Sequence, residues 1–593
     1  MLYNENYYQM LNVLKKIHIP LLIIFSILFL LSSYIPNFYE ISVKNLLPPD
    51  RVMLSGEHIY TYDYNVYLSK MKQGQEGRWS VVDKYDNDPQ QKGVLLQMLY
   101  LLSGKIGGLF HLTPPITFHA LRSILSLAWV LTIIYINIYF LKKPILYSLG
   151  IVLSLLAASF PVFYEYQGST WIGMYMSWWT EMDVLKRISY LPHYTLNYII
   201  VAVLFILLYK FSESQIQMSN QAQNPKSKEK NKLFGFWNWD FIAICIILFF
   251  SFFIHPAGSI LFLFSWLIFW LITFIQFPIS TFPLLPKIIF QTVILFLLAL
   301  IPLLYINAAT SSYPWKSLVD FDKYYRYPVV VKDYILTLGP VFFLGVGGIA
   351  LSLLKKEKRL LPLISWVLAA FFGLFLFKKL PFQSELRFVQ TANHIPLAIL
   401  SAYFLYGIYS FFWNKYKKIP FVIIFINFFI YLAVLLIVTL GVAQSYFSIK
   451  SQLDFIHQRA VATVPLVPYP SQVMYPLKDY WNGIQWLDTH TKNEEVVFSQ
   501  VNAGNYIPAY AGNFVYIGHN PETPFYDERF NNVNQFFSGT MSDKDATEFL
   551  KKERISYIFY GPQEQEKSEE NIKKYSFLQS SYTSPLVTIY KVK

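Results

Sequence analysis

The stretch Ile19–Ile35, "IPLLIIFSILFLLSSYI", carries no charged residue at any position. A run of this length and composition is too apolar for one soluble helix and reads as a membrane span. Lys15 and Lys16 precede it and no small-residue cleavage site follows, so we read an uncleaved first span with a cytoplasmic N-terminus. Working outward, similar runs recur near 116–140, 144–164, 192–211, 238–254, 257–277, 285–307, 334–354, 360–377, 390–413 and 419–443. With the first, near 18–36, they make about eleven spans. The fold expected is an α-helical polytopic membrane protein in which residues 1–443 form the transmembrane domain, with a long first outer loop over 36–115.

The charges fit that reading. Alternation from a cytoplasmic N-terminus puts Lys142 and Lys143, the tract Lys226–Lys232, "KKEKR" at 355–359 and "NKYKK" at 414–418 on the cytoplasmic side. The net charge of +13 is therefore an orientation signal split among short loops, and no nucleic-acid motif accompanies it. The polar, lysine-rich stretch at 212–232 reads as a solvated linker. One cysteine, Cys245, lies in an apolar run without a partner, which excludes a disulfide framework and a thiolate metal site.

After about residue 444 the apolar runs stop. "NGIQWLDTH" has helical period, "EVVFS", "NFVYIG" and "ISYIFYG" are strand-like, and "SDKDATEFLKKE" opens on an N-cap serine. Residues 444–593 are therefore expected to form a small extracytoplasmic α/β domain.

Polar chemistry gathers at one level of this topology. His193 in "LPHY", His255 in "FFIHPAG" and His394 in "TANHIP" all fall at the outer ends of spans. The same level holds Asp63, Glu181, Asp183 and Arg187 of "WWTEMDVLKR", Arg326 of "DFDKYYRYP", and Lys378, Lys379 and Arg387 of "KKLPFQSELRF". Titratable groups are costly in the membrane unless they line a cavity or sit at its rim. Bland explanations exist for each. Asp63 favours a helix N-terminus, His193 and His255 suit the interface beside prolines, and Lys378 and Lys379 snorkel or meet headgroups. Arg387 stands out because its fork can hold a phosphate bidentately as a span begins.

The first span, the long outer loop with its early acid in "YTYDYNVYLSKMKQGQEGRW" (60–79), "LPHY", the outer "HP", "ELRF" and the C-terminal α/β domain together resemble the GT-C superfamily of integral membrane glycosyltransferases. The bacterial relatives of protein O-mannosyltransferases and of lipid A aminoarabinose transferase are nearest in pattern. The resemblance implies transfer of a sugar, with inversion, from a polyprenyl-phosphate donor to a protein, glycan or lipid acceptor on the outer face. It places the base on Asp63. Many members carry a second acid beside the first; here Tyr64 stands there, and Asp83, Asp86 and Asp88 are substitutes. Cations for the leaving phosphate would come from Arg387, Arg187, Arg326, Lys378 or Lys379, with His193, His255, His394, Glu181, Asp183, Asp86 and Asp88 lining the site. In "GHNPETP", His519 and Thr523 would cover the site or touch the acceptor, and a plain structural turn fits that loop equally well.

Some members of that superfamily use a divalent cation. Asp63 with Asp86, Asp88, Glu181 or Asp183 is oxygen-rich, but no spacing defines a site, and we expect no metal. Two other classes stay open from the residues alone. A lipid-sugar flippase would place polar groups near the midplane, and a non-catalytic envelope assembly protein would be indifferent to Asp63.

Overall fold

The computed structural model describes residues 19–54, 58, 61–222, 238–380, 384–462, 474–566 and 571–593. The Lys15/Lys16 pair and the Lys226–Lys232 tract lie outside the described residues. The chain is an α-helical polytopic membrane protein with a small sheet domain near its C-terminus. Among the described residues, seven helices are long and apolar enough to cross a bilayer, and two sharply bent pairs raise that number to nine. Two further windows expected to span, 144–164 and 238–254, hold the shorter apolar helices Pro144–Leu156 and Trp239–Ser251.

Four boundaries differ from the sequence reading, each for a local reason. The span expected at 334–354 is broken into Val331–Leu338 and Pro340–Leu354, bent by 89°. Gly339 at the break has φ +67, and a Cβ there would stand 1.9 Å from the Ala158 carbonyl oxygen. Only glycine fits both demands, and Pro340 starts the second helix where its missing N–H is harmless.

After Leu156 the chain leaves the helix and forms a hairpin, β1 (Pro161–Tyr166) antiparallel to β2 (Ser169–Met174). Gln167 and Gly168 both have positive φ, the geometry that matches strand twist in a two-residue turn. The stretch expected to be a linker from 212 stays helical to Ala222, because nothing before Pro225 breaks a helix. The last span, expected to end at 443, continues as one helix over Pro420–Val461.

The chain divides into two compact units. The first comprises Met1–Ile35, Arg122–Leu303 and Tyr327–Ile449. Its helices approach closely through small residues. A Cβ on Gly348 would lie 2.2 Å from the Leu400 carbonyl oxygen, so helix Pro340–Leu354 packs backbone-close on helix His394–Tyr416. Large rings fill the remaining space, as where Phe205 stacks on Trp366 at 4.5 Å.

The second unit comprises Pro36–Leu121, Leu304–Arg326 and Lys450–Lys593. Its five-stranded sheet has the order β4 (Phe514–Val515), β3 (Val496–Phe498), β5 (Ile555–Tyr560), β7 (Thr588–Val592), β6 (Leu578–Thr583). The first three strands are parallel and the last two antiparallel to their neighbours. Alternate residues go to opposite cores. Val496, Phe498 and Ile558 join Phe536 and Leu550 on one face, while Val497 and Phe559 join Ile484 and Leu487 on the other. Burial on both faces explains why these strands read as apolar runs rather than as alternating ones. Ser542 caps helix Asp543–Lys552 as its sequence suggests, accepting from the Asp545 N–H at 3.1 Å.

Candidate active site

Asp63 lies in the first turn of helix Thr61–Gln75, where the dipole favours a carboxylate. The helix is held on two sides. Gly74 and Gly104 let it pack against helix Met98–Leu109, since a Cβ on either would meet a backbone oxygen of the other helix at 2.0 Å. Asn65 donates to Asn505 at 2.8 Å, joining it to helix Val501–Tyr510.

Onto this fixed helix folds the turn that contains "GHNPETP". His519 Nε2 and Asp63 Oδ1 are 2.9 Å apart. The imidazole is buried, whereas the Asp63 side chain is 42% exposed, and its Oδ2 has no partner among the described residues. Tyr62 lies against the His519 ring at 4.4 Å, accepts from the Asn520 N–H and donates to the Gly518 carbonyl oxygen at 3.0 Å. Burial pushes the Tyr62 hydroxyl well above its usual range, so it stays a neutral strut. Thr523 is buried, with its hydroxyl accepting from the Gly518 N–H at 3.3 Å, so it shapes the turn from within.

Two further residues, absent from the sequence reading, complete the arrangement. Lys70 Nζ donates to both Glu522 oxygens, at 2.8 and 2.6 Å, and each side chain is 2% exposed. Lys70 is seven residues from Asp63 and therefore on the same helix face, while Glu522 is three from His519. The two pairs match like teeth, and that spacing was the available signal.

The substitute acids are placed differently from Asp63. Asp86 is 0% exposed and accepts from Arg529 Nη2 at 2.7 Å and from the Tyr313 hydroxyl. Asp83 is also enclosed, and burial, then Glu522 and Asp86, push its carboxyl well up. Asp88 is open but pairs with Arg554 at 2.6 Å. Asp86 and Asp83 are thus interior groups, and of these acids only Asp63 combines exposure with a buried imidazole partner. Among the described residues no group of three His, Cys, Asp or Glu is arranged to hold a metal ion.

Beside Asp83, Lys84 is buried, donating to the Asn493 carbonyl oxygen at 2.9 Å. Burial lowers its ammonium to about 7 from 10.5. Between those values the unfolded chain binds the proton that the folded chain has lost, so stability from this group rises with pH and is missing below 7. The melting temperature of the native chain is expected to gain on that of Lys84→Met as pH goes from about 7 to 10. Parallel curves would show that Lys84 keeps its proton.

The first unit contains a second polar group. Glu181, in the one-turn helix Thr180–Met182, is buried, and burial raises its carboxyl to about 7 although Thr180 donates to it at 3.4 Å. It lines a small enclosed cavity with Arg187, Tyr198, Tyr334, Asn393 and His394. Arg187 is turned to protein, its Nη2 donating to the Leu155 and Ala157 carbonyl oxygens at 3.2 and 2.7 Å, where helix Pro144–Leu156 ends. Asp183 accepts from the Leu185 and Lys186 N–H groups, both at 2.9 Å, and from Ser448 at 3.0 Å, so it pins the turn that carries Arg187. These contacts tie Arg187 and Asp183 to the scaffold.

His193 and His255 share a cluster in which both rings lie against Tyr194, which accepts from Gln390 at 2.8 Å. Arg387 does not begin a span; it sits half-buried in the separate turn Glu385–Phe388, ahead of the helix that His394 opens. It is within electrostatic reach of Glu181, His193 and His255. Lys378 and Lys379 are exposed just beyond helix Leu361–Phe377. Arg326, half-buried, belongs to the second unit.

No family model and no curated protein sequence matches the chain. Among solved structures it is similar to an oligosaccharyltransferase of Archaeoglobus fulgidus in the apo form, at 13% identity and a TM-score of 0.48 over 95% of this chain and 74% of that one. The complex of the same organism's oligosaccharyltransferase AglB with an inhibitory peptide and a dolichol-phosphate gives 15% identity and a TM-score of 0.47 over the same shares. ArnT from Cupriavidus metallidurans bound to undecaprenyl phosphate gives 9% identity and a TM-score of 0.48, over 95% of this chain and 97% of that one.

Proposed function

We propose that this chain is a membrane glycosyltransferase of the GT-C type, moving a sugar from a polyprenyl-phosphate donor to an acceptor on the outer face with inversion. The observation that carries the reading is the Asp63–His519 pair, an open carboxylate oriented by a buried imidazole on a rigid helix. In the step, Asp63 takes the proton of the acceptor hydroxyl as the hydroxyl oxygen bonds the anomeric carbon. The bond from that carbon to the phosphate breaks, and the electron pair leaves with the polyprenyl phosphate. His519, donating to Oδ1, turns Oδ2 toward the acceptor. In this reading the N-terminus is cytoplasmic and the C-terminal domain extracytoplasmic.

The leaving anion needs a cation rather than a proton donor. We assign that role to Arg387, for the fork its guanidinium offers a phosphate from the turn Glu385–Phe388, and Arg187 Nη2 donates to the Leu155 and Ala157 carbonyl oxygens. Lys378, Lys379 and Arg326 remain as helpers in attracting the donor.

The test is consumption of labelled polyprenyl-phosphate sugars by the purified protein in nanodiscs. One donor of the panel is expected to yield free polyprenyl phosphate, and Arg387→Ala is expected to raise its KM by about 10- to 100-fold, the value of a charge-assisted hydrogen bond. Consumption of no donor, with acceptor extracts added, would count against the class. An unchanged KM would remove Arg387 from the phosphate site.

A further inference from the structure

In the second unit, a groove of about 470 Å³ runs between helix Lys316–Tyr324 and the turn that follows His519, within the size range of ligand sites. Its walls are aromatic and open. Tyr313, Tyr324, Tyr325 and Phe525 are 50%, 80%, 44% and 68% exposed. Helix Lys316–Tyr324 buries none of its residues. Asn520 lines the groove and donates its N–H to the Tyr62 hydroxyl, next in the chain to Asp63. The groove therefore reaches the immediate neighbours of the proposed base.

Two features show a prepared wall. Tyr313 is fixed by its hydroxyl, which donates to Asp86 and accepts from Arg529 at 3.1 Å. Phe525 stacks beside it, with ring centroids 6.4 Å apart and planes at 24°, from a backbone φ of +52 that bulky residues rarely adopt. The charged groups are mostly acidic: Asp320, Asp527 and Glu528 against a single ammonium, Lys316, which stands 3.6 Å from Asp320. The helix dipole accounts for Asp527 and Glu528 in the first turn of Tyr526–Phe537, and the i,i+4 ion pair with Lys316 accounts for Asp320, but neither accounts for the exposed rings.

We propose that this groove is the acceptor subsite and that it takes an uncharged saccharide. Pyranose C–H faces lie on the aromatic rings, and hydroxyls donate to the carboxylates. A lipid chain would offer no donor to the Asp527 and Glu528 carboxylates. A phosphate-bearing acceptor would face them as like charges. The proposal rests on the glycosyltransferase reading and gives it an acceptor class.

The experiment is saturation-transfer NMR on the full chain in nanodiscs with neutral tetrasaccharides of glucose, mannose, galactose and N-acetylglucosamine, a tetra-alanine peptide and glycerol phosphate. At least one tetrasaccharide is expected to bind, about tenfold or more weakly in Phe525→Ala and Tyr324→Ala, as for a truncated aromatic hot spot. Trp79→Ala, an exposed aromatic outside the groove, is expected to bind as the native chain does. Binding of no tetrasaccharide, binding indifferent to both groove variants, or binding of the peptide or glycerol phosphate alone overturns the proposal. The two readings fail separately. Saccharide binding that needs Phe525 without any sugar transfer would sink the glycosyltransferase and leave the groove, whereas transfer with an acceptor KM unmoved by Phe525→Ala would do the reverse.

Discussion

Asp63→Asn is expected to lower the turnover of sugar transfer by about 10²- to 10⁴-fold, the usual contribution of a positioned general base. The amide keeps the size of the carboxylate and can still accept from His519 Nε2, so the helix and the turn are expected to stay in place. What it loses is the capacity to take a proton. The fall should therefore lie in turnover and not in donor affinity, and the melting temperature should move little, because the Asp63 side chain is 42% exposed. His519→Ala is a weaker version of the same experiment. It removes the orienting donor and leaves the base.

The second large effect concerns the ion pair behind the proposed base. Lys70 and Glu522 are each 2% exposed and meet at 2.6 and 2.8 Å. Removing one partner leaves the other charged and buried, so Lys70→Ala or Glu522→Ala is expected to destabilise the second unit by about 3–5 kcal/mol. Replacing both, as Lys70→Met with Glu522→Leu, restores an apolar contact and is expected to recover most of that loss. Thermal unfolding of the four proteins in nanodiscs checks it. Additive losses in the double variant would mean that the two charges are solvated and the pair is incidental. Because Glu522 closes the turn that carries His519, the single variants should also depress transfer more than their fraction unfolded explains.

The parts of this molecule that were legible in its sequence are those set by composition over a long window. Each apolar run holds an apolar helix, because desolvated backbone in a membrane must satisfy itself locally. Three strands of the C-terminal sheet, β3, β4 and β5, were legible as short β-branched and aromatic runs such as "ISYIFY", whereas β6 and β7 were not read. Single residues that redirect the chain were read less well. Gly339–Pro340 breaks a run whose mean composition still reads as one span, and the hairpin that turns at Gln167–Gly168 starts at Pro161, inside the window 144–164 taken for membrane.

The candidate site divides in the same way. Asp63 was visible because an acid among aromatics in a membrane protein is unusual. Its partner lies 456 positions away, and a pairing of that range is fixed by tertiary packing. His519 was noticed for its turn, and Lys70 and Glu522 were passed over as ordinary polar residues. The interior place of Asp86 was equally hidden, since it depends on Arg529 and Tyr313 from two other stretches of the chain.

The most direct test of the central claim follows donor binding and sugar transfer together, in native protein and Asp63→Asn, using a labelled polyprenyl-phosphate sugar in nanodiscs. Both proteins are expected to bind the donor with similar affinity, and only the native chain to transfer the sugar at an appreciable rate. Equal transfer by the two proteins would contradict the claim and take Asp63 out of the chemistry.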